Sequence, residues 1–365
     1  LHAIPKGSIF GIPMDIDSLN ASTLISEEGK KRVLKDEELP NTKFTKESSI
    51  GEFLEYFLGE EIVEKQIAPV LAGVYSGDIY KLSLASTLPY LVDYKNEYGS
   101  IMKGFQANRD KFEREATKKF LSFRKGLSQL IDRLEECLDS VEIYKNTETT
   151  SVKKKDERYE VAFANGETIE ADVVVLALPN QAIQKLINDE ELNPYFSKFT
   201  NASAITMYLG FDLPDTVLPQ DGTGFIVSHN SDLVCDASTW TSRKWKHTSK
   251  EGNLLIRVFY KESNPHYQEI IQMNDEELTE VALKDIKLSV NIEEKPTNVH
   301  ITKWIDAMPK YDIAHNDALQ EVLSQLEEKY PNLMIAGCSY FGVGIGACID
   351  NGKDNAKRIS DIILK

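Results

Sequence analysis

From Ser49 onward apolar residues recur at helical spacing: Ile50, Phe53, Leu54, Phe57 and Leu58 share one face, Ser49 with Glu52 reads as a capping box, and Gly59 supplies a stop. A second stripe, Ile62, Val63, Ile67, Val70 and Leu71, predicts a further helix that Gly73 and Gly77 break. FRKGLSQLIDRLEECL, from about Phe120, predicts an amphipathic helix with Leu127, Leu130, Ile131, Leu134 and Leu138 on one side. The period then changes to two. VEIYKN and RYEVAFANGETIEADVVVLALP predict strands, with Asn165-Gly166 as a hairpin turn because both residues tolerate positive φ. Val173 to Leu178 is apolar on both faces and ends at Pro179, as expected of a strand buried in a layered α/β sheet. Between Gln181 and Asn332, ASAITMYLGF, TGFIVS, DLVCDASTW, NLLIRVFY and NVHITKWI predict antiparallel strands, and DEELTEVALKDIKLSV a helix. The tail returns to α/β character: LMIAG is a short buried strand, GVGIGA a glycine-rich turn, and Cys348 to Leu364 a closing helix with Ile349, Ala356, Ile359 and Ile363 on one face.

The chain of 365 residues, 41% hydrophobic, is long enough to bury a sizeable core. A formal charge of -16 opposes non-specific binding to nucleic acid or anionic lipid, so an anionic ligand has to meet a local basic patch. The four cysteines show no CxxC spacing, which fits a reducing compartment and makes the cytoplasm the default location. No apolar run is long enough to cross a bilayer, and the opening LHAIPKGSIFGIP is not a signal peptide. The six histidines, His2, His229, His247, His266, His300 and His315, lack metal-ligand spacing and read as ordinary polar residues, and there is no GxSxG elbow. Lys153 to Lys155 reads as a solvated loop between strands. No residue is assigned a catalytic acid-base role and no metal is expected.

The tail, AGCSYFGVGIGACIDNGKDNA, is the most informative segment. A strand, then Gly342, Gly344 and Gly346, then a helix lets backbone approach a ligand while the helix N-terminus presents unpaired N–H groups. A phosphate, or the N1/C2=O edge of a flavin, suits that arrangement. The spacing is GxGxG and not GxGxxG, and a single helix follows, so no βαβ unit is completed after it.

Read with LAGVYSGDIYKLSLASTLP, TGFIVS, STWTSRKW and KWIDAMPKY, this tail resembles the flavin-containing protoporphyrinogen and coproporphyrinogen oxidases, especially the coproporphyrin-forming type of Gram-positive bacteria. The match runs in order along the whole chain. The resemblance implies an α/β, multi-domain fold of the amine-oxidase-like flavoprotein type: a discontinuous FAD-binding domain, an antiparallel-sheet substrate domain and a helical insertion. On that basis residues 1–116 form the helical insertion and part of the substrate domain, 117–180 and 326–365 belong to the FAD-binding domain, and 181–325 bind substrate. The family's opening strand, GxGxxG turn and ribose-binding acid, together about a hundred residues, have no counterpart in this sequence.

Carried over residue by residue, the resemblance implies that Val343, Gly344 and Ile345 contact the isoalloxazine through backbone, with Gly342 and Gly346 shaping the turn. It puts Trp304 near the flavin, Thr149 at the adenine by main chain where the family usually has valine, and Gly73 in the wall of the substrate cavity. The reaction implied is oxidation of coproporphyrinogen III to coproporphyrin III in haem biosynthesis, a six-electron change in three rounds. In each round hydride passes to flavin N5 and a pyrrolic proton is lost to solvent; oxygen is the acceptor and hydrogen peroxide the by-product. Protoporphyrinogen oxidation, another amine-oxidase-like chemistry, or a non-catalytic remnant unable to retain FAD are the alternatives. Four propionates on the substrate call for local cations, for which Lys6, Lys81, Lys103, Arg243 and Lys244 are nearest in sequence to the cavity-forming segments.

Overall fold

The computed structural model describes residues 1–75, 77–116, 121–219, 221–228 and 231–364. Helix α1 spans Glu27–Leu34 and α2 spans Ile50–Leu58, whose Ser49 hydroxyl accepts from the Glu52 N–H at 3.2 Å. Only this half of the expected capping box forms. After Gly59, at φ +99°, the chain runs helically from Glu60 through a π-turn at Val63–Ile67 into α3, Ala68–Tyr75. Gly73 therefore does not break the helix; it lies inside the last turn, in ordinary helical conformation. Helices α4 (Tyr90–Tyr98) and α5 (Ile101–Ala107) complete a core built on Phe53, Leu54, Phe57, Ile67, Leu91 and Phe105. Inside it Lys95 and Asp36 form a fully buried ion pair at 2.7 Å, with Asp36 also accepting the Ile101 N–H at 2.7 Å and Lys95 donating to the Gly99 carbonyl.

Helix α6, Ser128–Glu136, forms where its period predicts, but it buries none of its residues, and Leu127, Ile131, Leu134 and Leu138 are exposed. The VEIYKN segment is irregular and exposed, not a strand. Strands β1 (Thr149–Lys155), β2 (Arg158–Phe163) and β3 (Thr168–Ala171) make an antiparallel sheet. Lys153 to Lys155 are the end of β1 and not a loop, paired with Glu160, Tyr159 and Arg158; the alternation that should mark a strand is masked by an exposed edge. The β2–β3 hairpin forms, but only Gly166 takes positive φ, at +86°. Its turn is a three-residue loop with the glycine in the left-handed position, so Asn165 is spared it. Strand β4, Val174–Leu176, pairs in parallel with the later Leu333–Ile335 strand; its Val175 is partly exposed, so burial on both faces is not met among the described residues. Helix α7, Asn180–Ile187, follows.

Strands β5 (Asn201–Pro214), β6 (Gly224–Ile226), β7 (Ala237–Trp240), β8 (Asn253–Lys261) and β9 (Asn298–Pro309) form a five-stranded sheet in the order β9-β5-β8-β7-β6. On β8, Leu254, Ile256, Val258 and Tyr260 are buried in strict alternation. Helix α8, Asp275–Val290, starts at a full Asn274–Glu277 capping box and lays Leu278, Ala282 and Ile286 on that face. Burial of a leucine or isoleucine side chain such as Leu278 or Ile286 contributes about 1.5–3 kcal/mol. Helix α9 (His315–Lys329), strand β10 (Leu333–Ile335) and helix α10 (Ile345–Ile363) end the chain.

Two compact units result, one of Leu1–Glu136 with Ala202–Ile313, the other of Cys137–Asn201 with Ala314–Lys365. These limits differ from borders at 117, 181 and 326, the first of which lies outside the described residues. The reason is packing: Ile183, Leu186 and Phe196 share one core with Ala318, Val322, Leu326 and Ile335, so both flanking helical stretches belong to the second unit.

Candidate active site

In the second unit, β10 delivers the chain to the glycine turn. Ala336 N–H donates to Leu176 carbonyl at 3.0 Å, Gly337 turns at φ +95°, and its N–H is held by Asn351 of α10 at 3.0 Å. Beneath the turn Tyr340 is buried, donating from its hydroxyl to Asn180 Oδ1 at 2.9 Å, while its carbonyl lies 2.9 Å from His315 Nε2. Phe199 packs edge-on against Tyr340 at 5.0 Å. This cluster fixes the turn from below. Neither Tyr340 nor Asn180 carried a signal in the sequence, because an isolated tyrosine and a residue after a proline have many structural uses. Burial pushes the Tyr340 hydroxyl well above its ordinary value, so it stays a neutral donor.

The three glycines then differ in what they do. Gly342 sits at φ +113°, and a Cβ there would lie 2.8 Å from Ala347 Cβ, so the fold itself requires glycine. Gly344 caps α10 at φ -77° and ψ 146°, conformations open to any residue, and a Cβ on Gly344 or Gly346 would meet nothing within 4 Å. The helix therefore begins inside the turn, three residues before Cys348. Its first N–H groups, of Ile345, Gly346 and Ala347, have no intrahelical carbonyl to reach, and the first backbone bond is from Cys348 N–H to Gly344 carbonyl at 3.0 Å. Beside these donors Val343 and Ile345 are 48% and 50% exposed. Donors on a bare backbone, flanked by apolar side chains, suit the electron-rich edge and flat face of a flavin ring better than a phosphate, which would leave the two hydrophobes in water. Thr149 is the first residue of β1, opposite Phe163 and next to a break in register before Ser151.

In the first unit, Trp304 on β9 is not a core aromatic: its ring is 45% exposed, while its Nε1–H donates to Thr206 Oγ1 at 3.1 Å. Gly73 is exposed on α3, where a Cβ would make only an ordinary 3.7 Å contact with Ile226, so the fold itself does not require glycine there. Of the expected cations, Lys81 lines a cavity together with Gly77, Ser203, Lys261, Glu262 and Lys310. Lys103 is engaged by Glu37 at 2.7 Å, and Arg243 donates to the carbonyls of Pro219 and Asp215 with its guanidinium 5.4 Å from the Trp240 ring. Lys244 lies 5.9 Å from the Trp245 ring, and Lys6 is exposed. Lys261 and Lys310 were not singled out by sequence. The available signal was the period of β8, which puts Arg257, Phe259 and Lys261 together on the face opposite the core. Among the described residues no set of three His, Cys, Asp or Glu converges to hold a metal; His229 lies outside them.

Residues 7–360 match the family of flavin containing amine oxidoreductases. The coproporphyrinogen III oxidase of Bacillus subtilis (strain 168) is 33% identical over 358 residues, 97% of this chain and 76% of that protein. That of Staphylococcus aureus (strain NCTC 8325 / PS 47) is 30% identical over 369 residues, 98% of this chain and 79% of that protein. The crystal structure of an Exiguobacterium sp. 255-15 protein assigned as a protoporphyrinogen oxidase superposes with a TM-score of 0.85 at 32% identity, covering 98% of this chain and 78% of that one. Putrescine oxidase, at 13% identity and a TM-score of 0.64, shares the fold. The amine-oxidase-like flavoprotein architecture, the flavin and the oxidoreductase class follow, and the chain belongs to the flavin containing amine oxidoreductases, in their porphyrinogen oxidase branch.

Proposed function

We propose that the protein oxidises coproporphyrinogen III to coproporphyrin III, using FAD as cofactor and molecular oxygen as acceptor, with hydrogen peroxide as by-product. The observation that carries the reading is the bare glycine turn at the start of α10, where Gly344 and Gly346 have no internal reason to lack side chains. FAD, when bound, supplies a two-electron acceptor that oxygen can regenerate. The chain's own residues orient and shield. The N–H groups of Ile345, Gly346 and Ala347 and the positive end of α10 stabilise negative charge at the ring edge they face. Val343 and Ile345 supply apolar contact that excludes water from that edge, and Thr149 offers main chain to the adenine. Trp304, tethered through Thr206, and Gly73 offer a flat surface and a wall without side chain to the planar macrocycle. Six hydrogens leave the porphyrinogen, four from its meso carbons and two from its pyrrole nitrogens. Three go to the acceptor as carbon-bound hydrides and three to water as protons, two of them pyrrolic and the third from the fourth meso carbon by tautomerisation. Three oxygen molecules take up all six as three of hydrogen peroxide. Aromatisation drives the sequence, so positioning matters more than acid-base help. A cytoplasmic location accords with the absence, among the described residues, of any helix long and apolar enough to cross a membrane.

The test is anaerobic mixing of the flavin-loaded protein with coproporphyrinogen III. Loss of the flavin's visible colour, with coproporphyrin fluorescence appearing in step, is the expected result. A flavin that stays oxidised while an amine bleaches it would overturn the reading.

A further inference from the structure

The cavity in the first unit is enclosed by the 77–82 segment and by the ends of β5, β8 and β9, all within one compact body. Its volume, about 240 Å³, is ample for a carboxylate arm. Three lysines line it: Lys81, Lys261 and Lys310. Their situations differ. Lys81 is highly exposed, and its nearest carboxylate, Asp78, is at 4.0 Å. Lys310 reaches Glu262 at 3.5 Å, and Glu262 in turn accepts the Ser203 N–H at 2.7 Å. Lys261 is largely withdrawn from water, and its Nζ donates to the carbonyl of Ala72, directly before Gly73. The Asp236 carboxylate accepts the Lys261 backbone N–H at 2.7 Å and acts on the ammonium by charge alone, without a hydrogen bond to Nζ. Burial lowers its pKa from the ordinary lysine value.

An ammonium held out of water by one neutral acceptor keeps two of its three N–H donors for another partner. A carboxylate arriving there would gain more than at the surface, because the dehydration of the cation has already been met by folding. Three acids, Asp78, Glu262 and Asp312, line the cavity with the three lysines; Glu262 is held by Ser203 and Lys310 and Asp78 lies 4.0 Å from Lys81, so neither of these two takes up the Lys261 ammonium.

We propose that this cavity is the subsite for a carboxylate arm of the substrate, with Lys261 as its specificity-determining cation and Lys310 and Lys81 as the more exposed cations beside it. The inference rests on the porphyrinogen reading and adds to it a residue and a discrimination: substrates are ranked by the carboxylate they bring to Lys261. The contact of Lys261 with Ala72 also ties this subsite to Gly73, the glycine expected in the cavity wall.

The experiment is a fluorescence titration of the flavin-loaded protein and its Lys261→Met variant with coproporphyrin and with its tetramethyl ester. Turnover of coproporphyrinogen by the parent is measured alongside, with melting temperature as the fold control. Loss of one charge-assisted contact is expected to weaken coproporphyrin binding roughly ten- to a hundredfold and to leave ester binding within about twofold. Equal losses for acid and ester, or no loss in a folded variant, would overturn the subsite. If Lys261→Met does not fold, Lys310→Met and Lys81→Met carry the same test, with a selective loss of at least about threefold for the acid expected from one of them and none for either contradicting the proposal. A parent that turns over porphyrinogen but fails the comparison removes the subsite alone; a parent that does neither removes the functional reading and the subsite with it.

Discussion

Replacing Gly344 by valine separates the ligand's demands from those of the fold. At φ -77° and ψ 146° valine meets no backbone penalty, and a Cβ there has no neighbour within 4 Å. Loss of a glycine at the helix cap costs about 1 kcal/mol, offset by about 0.4–1 kcal/mol from the less flexible unfolded chain, so stability should change by no more than about 0.6 kcal/mol. A flavin ring lying on that backbone meets the new side chain at once. Overpacking of a close-fitted contact costs about 1–3 kcal/mol, which is roughly a 5- to 150-fold loss of affinity. Gly342→Ala is the mirror experiment: at φ +113° and with Ala347 Cβ 2.8 Å away it should cost about 1–3 kcal/mol of stability even without cofactor. Melting of both flavin-free proteins and titration with FAD measure the two effects. Gly344→Val that keeps its flavin affinity within twofold, or that loses as much stability as Gly342→Ala, would refute the reasoning.

Lys95→Met should destabilise the first unit by about 3–5 kcal/mol, because it leaves the Asp36 carboxylate buried without its cation; a urea midpoint near that of the parent would mean water reaches Asp36. Glu61 is held down to about 2 from its ordinary 4.5, chiefly by the hydrogen bond from Lys65 and then by Ser26. Its folded-state pKa is depressed, so its contribution is present above pH 4.5 and is lost as pH falls towards 2. Glu61→Gln should therefore flatten part of the acid limb, by only about 0.2–1 kcal/mol for so exposed a pair, and an unchanged acid limb would count against it. Titrating FAD should quench tryptophan emission, and Trp304→Phe should remove most of that quench; equal quench in both proteins would put the flavin away from β9.

Much of this was legible in the sequence where the local period agreed with the tertiary use. The Asp275–Val290 helix coincides with its predicted segment because an asparagine cap and a buried face point the same way. Legibility failed where an element's partner decides its state. VEIYKN has strand composition but no ladder to join, and α6 has the apolar face of a packed helix yet buries none of it. Lys153 to Lys155 failed in the opposite sense: three cations suggest a loop, but pairing with β2 holds them in a strand. At the site, the glycine turn was readable as a ligand-approach motif. That Gly342 serves the fold whereas Gly344 and Gly346 do not was unreadable, since it depends on φ and on where Ala347 lies. Lys261 was hidden for a related reason, as its value comes from burial beside Ala72, which is far from it in sequence.

The most direct test of the account is oxygen consumed per coproporphyrin formed, followed with an oxygen electrode and porphyrin fluorescence on one flavin-loaded sample. The account predicts a protein-dependent rate, three oxygen molecules taken up and three of hydrogen peroxide released per coproporphyrin. A flavin-loaded protein that leaves coproporphyrinogen III at its uncatalysed rate of oxidation would contradict it.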